Sequence, residues 1–228
     1  MHADLAIFAD GSRGIGLGHL TRMRSLVKWL EVDAMLLTRT PEVAKSVFAG
    51  EAVSVVAVDR PQEISAEVDG RAASARVVVF DPPIVTDDLA ASSGPAWQDA
   101  IDTVRAEGRQ VVRFTDELAP TSHSCDLLVN DHPLAESYSG TYPRVGRPGP
   151  VLAGPRYFLI DPDHDTEPRQ HDGVFVSFGG GDQSELLKRM RTGLQQLSEE
   201  IPVHVVAGPN IAVDLEVSER LAVHRHLA

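Results

Sequence analysis

Leu5-Ala6-Ile7-Phe8-Ala9-Asp10-Gly11-Ser12-Arg13-Gly14-Ile15-Gly16-Leu17-Gly18-His19 joins a five-residue apolar run to a turn holding four glycines and one imidazole. Leu20, Met23, Leu26, Val27 and Leu30 then recur at helical spacing. The stretch predicts a buried strand, a tight turn and a helix beginning near Leu20. Glycine lets the main chain take positive φ and lets a ligand approach it with no Cβ in the way. The free N–H groups and dipole of the following helix favour an anion at the same place. His19 stands at the mouth of that turn. A positive helix end disfavours an imidazolium, so His19 is expected to be neutral near pH 7, as a general base needs to be.

The same alternation continues along the chain. Ala34 to Thr38, Ser54 to Val58, Arg76 to Phe80, Gln110 to Phe114 and Leu127 to Val129 read as strands. Helices are predicted over Pro41 to Phe48, with proline in the first turn and Gly50 beyond the end, over part of Pro61 to Ser74, and over Ala96 to Glu107. Strands alternating with helices predict an α/β doubly wound parallel sheet covered on both faces, with ligands at the carboxyl ends of its strands. Asp10, Asp81 and Asp116 each fall just after a strand end.

After Ile160, residues 161 to 173 are polar and turn-forming and are read as a linker. Beyond it a second unit repeats the first: the strand Val174 to Phe178, the turn Gly179-Gly180-Gly181-Asp182-Gln183-Ser184, a helix over Glu185 to Leu197, and the strand Pro202 to Ala207. The expected domains are therefore 1–160 and 174–228. The second has too few elements for a full doubly wound domain, which predicts that the sequence is truncated or that the rest of that sheet is supplied elsewhere. A glycine turn followed by a helix predicts a phosphate site at Gly179, Gly180, Gly181, Asp182 and Ser184.

Composition narrows the class. With 228 residues and a formal net charge of −12, the chain is large enough for a substantial core and too acidic for non-specific nucleic-acid binding. One cysteine, Cys125, excludes an intramolecular disulfide and fits a reducing cytoplasm. No apolar run reaches the roughly 18 residues that a membrane span needs. Gly14-x-Gly16-x-Gly18 is not the dinucleotide fingerprint, and Thr38-Arg39-Thr40 lacks the acidic ribose ligand, although Arg39 leaves an NADP enzyme open through a 2′-phosphate contact. No Gly-Lys-Ser/Thr follows the turn, so it is not a P-loop. Asp161-x-Asp163-x-Asp165 has Thr166 where a calcium loop has glycine and Asp172 where it has glutamate, and reads as solvated chain. The histidines show no metal-ligand spacing.

Asp10-Gly11-Ser12 with Ile15-Gly16-Leu17-Gly18-His19-Leu20-Thr21-Arg22 resembles the opening motif of the UDP-2,4-diacetamido-2,4,6-trideoxy-β-L-altropyranose hydrolases of pseudaminic acid synthesis and of related spore-coat polysaccharide glycosyltransferases. The resemblance continues through Val79-Phe80-Asp81, Phe114-Thr115-Asp116-Glu117, Cys125 to Asn130, Gly154 to Ile160 and Phe178 to Asp182. The chain differs from the pattern at Phe8, at Pro82-Pro83 and at Asp161. The resemblance implies a GT-B architecture of two Rossmann-like domains, the first holding the sugar and the second UDP. It implies inverting displacement at the anomeric carbon of a UDP-sugar, by hydrolysis to UDP and a free amino-sugar or by transfer to an acceptor. His19 and Asp10 are then the expected catalytic pair, with Gly16, Gly18, Arg22, Asp81 and Asp116 around the substrate. No cofactor is implied. A catalytically idle sugar-nucleotide-binding module is the reading from another class.

Overall fold

The computed structural model describes residues 3–83, 95–116, 124–138, 149–163, 173–179, 181–208, 210–212 and 215–225. The residues divide into two compact units, one of 1–10 with 19–163 and the other of 11–18 with 164–228.

In the first unit, β1 (Leu5–Ala9), β2 (Ala34–Thr38), β3 (Val53–Ala57), β4 (Val77–Asp81), β5 (Gln110–Phe114), β6 (Leu127–Asn130) and β7 (Val151–Ala153) form one parallel sheet in the order β3-β2-β1-β4-β5-β6-β7. This is a doubly wound, Rossmann-like order, whose winding reverses between β1 and β4. The helices α1 (Gly18–Leu30), α2 (Pro41–Val47), α3 (Glu63–Arg71), α4 (Pro95–Ala106) and α5 (Ala135–Tyr138) complete the unit.

Side chains on a strand alternate between faces, and the sequence of β1 uses both. Leu5, Ile7 and Ala9 join Leu20, Met23 and Val27 of α1 and Ala44 of α2 in one core. Ala6 and Phe8 point the other way, into a core with Ile64 and Val68 of α3 and Ile101 and Val104 of α4. Every residue of β1 is buried, as expected of a central parallel strand. Phe8 packs on Trp97 with ring centroids 4.2 Å apart.

The second unit has β8 (Val174–Ser177), β9 (Val203–Ala207) and β10 (Leu221–Arg225) in a parallel sheet ordered β10-β9-β8. Its long helix α6 (Ser184–Glu200) lays Leu187 and Leu194 against Val203, Val205 and Leu221.

The elements read from periodicity agree with these to within three residues at their ends. α1 begins at Gly18 instead of Leu20, because helical hydrogen bonding starts ahead of the first residue that packs into the core. β7, α5 and β10 carry no pattern that marks them. β7 is three residues long within proline- and glycine-rich chain, and its pairing with β6 makes it a strand. The first three residues of the expected linker are fastened down: Lys28 of α1 donates to Asp161 at 2.6 Å and pairs with Asp163. Residues 164–172 of that linker lie outside the described residues.

Candidate active site

His19 lies in the first turn of α1, the helix that follows β1 after the glycine turn, and Asp81 is the last residue of β4. These strands are neighbours, with Ala9 opposite Asp81. The two side chains therefore meet at the switch point of the sheet, at the carboxyl ends of its strands, where α/β folds bind ligands. His19 Nδ1 stands 2.9 Å from Asp81 Oδ1. Asp81 is buried and accepts from Arg22 through both oxygens, Nε to Oδ2 at 3.0 Å and Nη2 to Oδ1 at 2.6 Å. An ionised carboxylate can only accept, so Nδ1 of His19 carries the hydrogen. In the neutral ring the lone pair is thereby placed on Nε2.

Arg22 extends the site to two more strand ends. It lies three residues after His19, on the same face of α1. Its Nη1 donates to Asp116, two residues past β5, at 2.8 Å and to Asp131, one residue past β6, at 3.2 Å. The guanidinium also sits 5.4 Å from the centre of the Phe114 ring. One guanidinium thus faces three carboxylates, which leaves two negative charges uncompensated while His19 is neutral and one when it is protonated.

The charge balance reverses one expectation. Burial is the largest influence on His19 and pulls its pKa down, but the hydrogen bond and charge of Asp81, helped by Asp116, outweigh burial and the opposing Arg22. The net result lies above the ordinary histidine value. The helix N-terminus does not set the direction of the shift, because a buried carboxylate at 2.9 Å acts more strongly than the dipole of a helix end. Burial also pushes Asp81 toward neutrality, yet His19 and Arg22 hold its carboxyl below the usual range. Asp131 is displaced upward, chiefly by burial, which Arg22 only partly offsets. Arg22 loses by burial and gains more from Asp81 and Asp116, so its charge is fixed.

Asp10 takes a different place from the one expected. It is fully buried, with Oδ1 accepting from Thr38 Oγ1 at 2.9 Å and from the Arg39 amide at 2.7 Å, and Oδ2 accepting from Arg39 Nε at 2.6 Å. The hydrogen bond of His19 goes to Asp81, and Asp10 instead ties the end of β1 to the end of β2. Asp131 is a further site residue beyond those the sequence reading names, and its signal in the sequence is its place just past a strand, as for Asp116.

The first glycine turn closes on itself. Ser12 and Gly16 exchange backbone hydrogen bonds at 3.1 and 2.7 Å, and Ser12 Oγ accepts from the Ile15 amide. Gly16 takes φ 88°, a conformation that favours glycine. A Cβ at Gly18 would meet open space, so steric crowding does not require glycine there. In the second turn Gly179 has φ 73° and Gly181 is half-buried. Gly180 lies outside the described residues, as do Glu117 and His123. Asp182 Oδ1 accepts from the amide and hydroxyl of Ser184 at the start of α6, and Oδ2 accepts from Arg13 at 2.8 Å. These bonds, those of Ser184 first, hold the Asp182 carboxyl down to about 2.

Among the described residues no group of three or more histidine, cysteine or acidic side chains is arranged to hold a metal, and no helix is long and apolar enough to cross a membrane.

No protein-family model matches the chain, and no curated protein matches its sequence. Its structure is similar to the crystal structure of Arabidopsis thaliana UGT89C1 complexed with quercetin, with a TM-score of 0.52 and 11% sequence identity, over 99% of this chain and 70% of that one. UGT89C1 is a UDP-glycosyltransferase, and the shared fold is the GT-B-like, Rossmann-type α/β architecture.

Proposed function

We propose that the chain is a nucleotide-sugar enzyme of the glycosyltransferase kind, acting by inverting displacement at an anomeric carbon. The observation that carries this reading is the buried Asp81 on His19 Nδ1 at the switch point of the sheet. It leaves Nε2 as a base, with a carboxylate behind it to stabilise the imidazolium that proton transfer creates. The GT-B-like fold shared with UGT89C1 supports the substrate class.

The finer reading rests on the sequence motifs. The substrate is a UDP-sugar, hydrolysed to UDP and a free amino-sugar, with transfer to an acceptor in surface polysaccharide or glycan synthesis as the alternative. In either reaction His19 Nε2 takes the proton of the attacking oxygen, water in one and an acceptor hydroxyl in the other. That oxygen bonds to the anomeric carbon opposite the leaving group. The carbon–oxygen bond to the diphosphate breaks, its electron pair leaves with UDP, and the configuration inverts. General-base assistance of this kind contributes about 10² to 10⁴-fold. In this reading Arg22, Asp116, Gly16 and Gly18 belong to the sugar side. Gly179, Gly181, Asp182 and Ser184, on and just before the first turn of α6, belong to the nucleotide, together with Gly180 of the same sequence motif.

The rival dinucleotide reading loses its anchor, because the Arg39 guanidinium expected to meet a 2′-phosphate is engaged by buried Asp10. The test incubates the protein with a panel of UDP-amino-sugars, with and without acceptor alcohols, following UDP by phosphorus NMR and the product anomer by proton NMR. Release of UDP with inversion, abolished in His19→Asn, is expected. Calorimetric binding of UDP-sugars without turnover would identify the idle binding module, and binding of NADPH alone would identify the dinucleotide enzyme. Either result overturns the proposal.

A further inference from the structure

We propose that Arg22 is a positioning residue for His19: its fork holds Asp81 in line with the imidazole, and its one positive charge sets the field in which the ring takes up and releases a proton. The inference rests on the reading of His19 as the base and assigns that site its control.

The geometry carries it. Arg22 grips both oxygens of Asp81, at 3.0 and 2.6 Å, so the carboxylate cannot swing away from His19 Nδ1 without breaking two charge-assisted bonds. Its remaining arm spans Asp116 and Asp131, drawing the ends of β5 and β6 onto the same cation. Among the described residues, the charged groups facing His19 are Asp81 from β4, Arg22 from α1 and Asp116 from beyond β5, with Asp131 acting through Arg22. Nη2 of Arg22 lies 3.3 Å from His19 Nδ1. Both nitrogens are donors there and converge on Asp81 Oδ1, so this contact is a cation beside the ring. Arg22 therefore opposes protonation of His19, whereas Asp81 and Asp116 favour it.

A role confined to folding predicts that variants of Arg22 change stability alone. Positioning predicts shifts of opposite sign in the His19 titration. The experiment follows imidazole nitrogens in the ¹⁵N-labelled full chain by NMR across pH, with the His19 signals identified as those lost in His19→Asn. Loss of the cation in Arg22→Gln is expected to raise the midpoint by about one unit, and loss of a carboxylate in Asp116→Asn to lower it by about one unit. Arg22→Lys keeps a charge without the fork and is expected to return the midpoint toward the parent value. Midpoints that move by less than about a third of a unit, or in the same direction in Arg22→Gln and Asp116→Asn, would overturn the proposal. If Arg22→Gln does not fold, Asp116→Asn decides: a downward shift supports the proposal and an unmoved midpoint overturns it. No substrate is used, so this result and the turnover test fail or succeed separately.

Discussion

His19 Nδ1 and Asp81 Oδ1 are 2.9 Å apart, joining the first turn of α1 to the end of β4 across 62 residues of chain. Asp81 is 1% exposed and has His19 and Arg22 as its partners, so its removal leaves Nδ1 of His19 and two donors of Arg22 short of a buried acceptor. Asp81→Asn keeps the shape but loses the charge and one of the two acceptor oxygens, so a single neutral carbonyl is left to serve both His19 and Arg22. Turnover of a UDP-sugar is expected to fall by about 10²-fold or more with substrate affinity changed much less, as in His19→Asn. Asp81→Asn is also expected to cost about 3 kcal/mol in denaturant unfolding, the scale of breaking a buried ion pair. A folded variant with parental kcat would remove His19 from the chemistry.

The pH dependence follows from the raised pKa of His19. As a general base, His19 works when neutral, so kcat is expected to rise with pH through a midpoint above about 6.5, the ordinary histidine value. His19→Asn should lack that limb. Stability runs the other way. A raised folded pKa gives a contribution that is complete below the unfolded value and lost as pH rises through the folded one. The stability gap between parent and His19→Asn should therefore be widest in mild acid and close toward alkaline pH, which urea titrations at several pH values measure.

Gly179 tests the nucleotide side. Its φ of 73° suits glycine, and an added Cβ would meet open space, so substitution strains the backbone without a clash. Gly179→Val should weaken UDP binding in calorimetry by about tenfold, equivalent to about 1.4 kcal/mol of strain carried into the bound turn. First-unit cores should be unaffected. Undiminished affinity would place the nucleotide elsewhere.

Cys125 gives a check independent of function. It is buried, and burial pushes its thiol up to about 11. At pH 8 the native thiol should react with a disulfide reagent roughly 10²-fold more slowly than in denaturant, in proportion to its smaller thiolate fraction. Equal rates would mean that Cys125 is exposed in solution.

Much of the fold was legible because its signals are local. Strand β1 is apolar throughout because both its faces are covered, α1 repeats its apolar residues every three or four positions, and glycines mark the turns between them. The aspartates read at strand ends, Asp10, Asp81 and Asp116, lie at the carboxyl edge of the sheet. β10 was not legible, since Leu221–Arg225 mixes apolar and charged residues and becomes a strand by pairing with β9.

Local sequence signals are enough to put His19 after a glycine turn at the carboxyl ends of parallel strands, with several carboxylates available nearby. Which carboxylate takes the imidazole was decided by tertiary structure alone. Asp10 is nine residues from His19 and Asp81 sixty-two, yet Asp81 holds the ring. The strand order sets β4 on one side of β1 and β2 on the other, so Asp10 is claimed by Thr38 and Arg39 while Asp81 meets His19 and Arg22. Local periodicity encodes which residues are buried, whereas lateral strand order arises from packing the whole sheet. The direction of the His19 pKa shift depends on that order, because a buried carboxylate at hydrogen-bond distance overrides the field of the helix end.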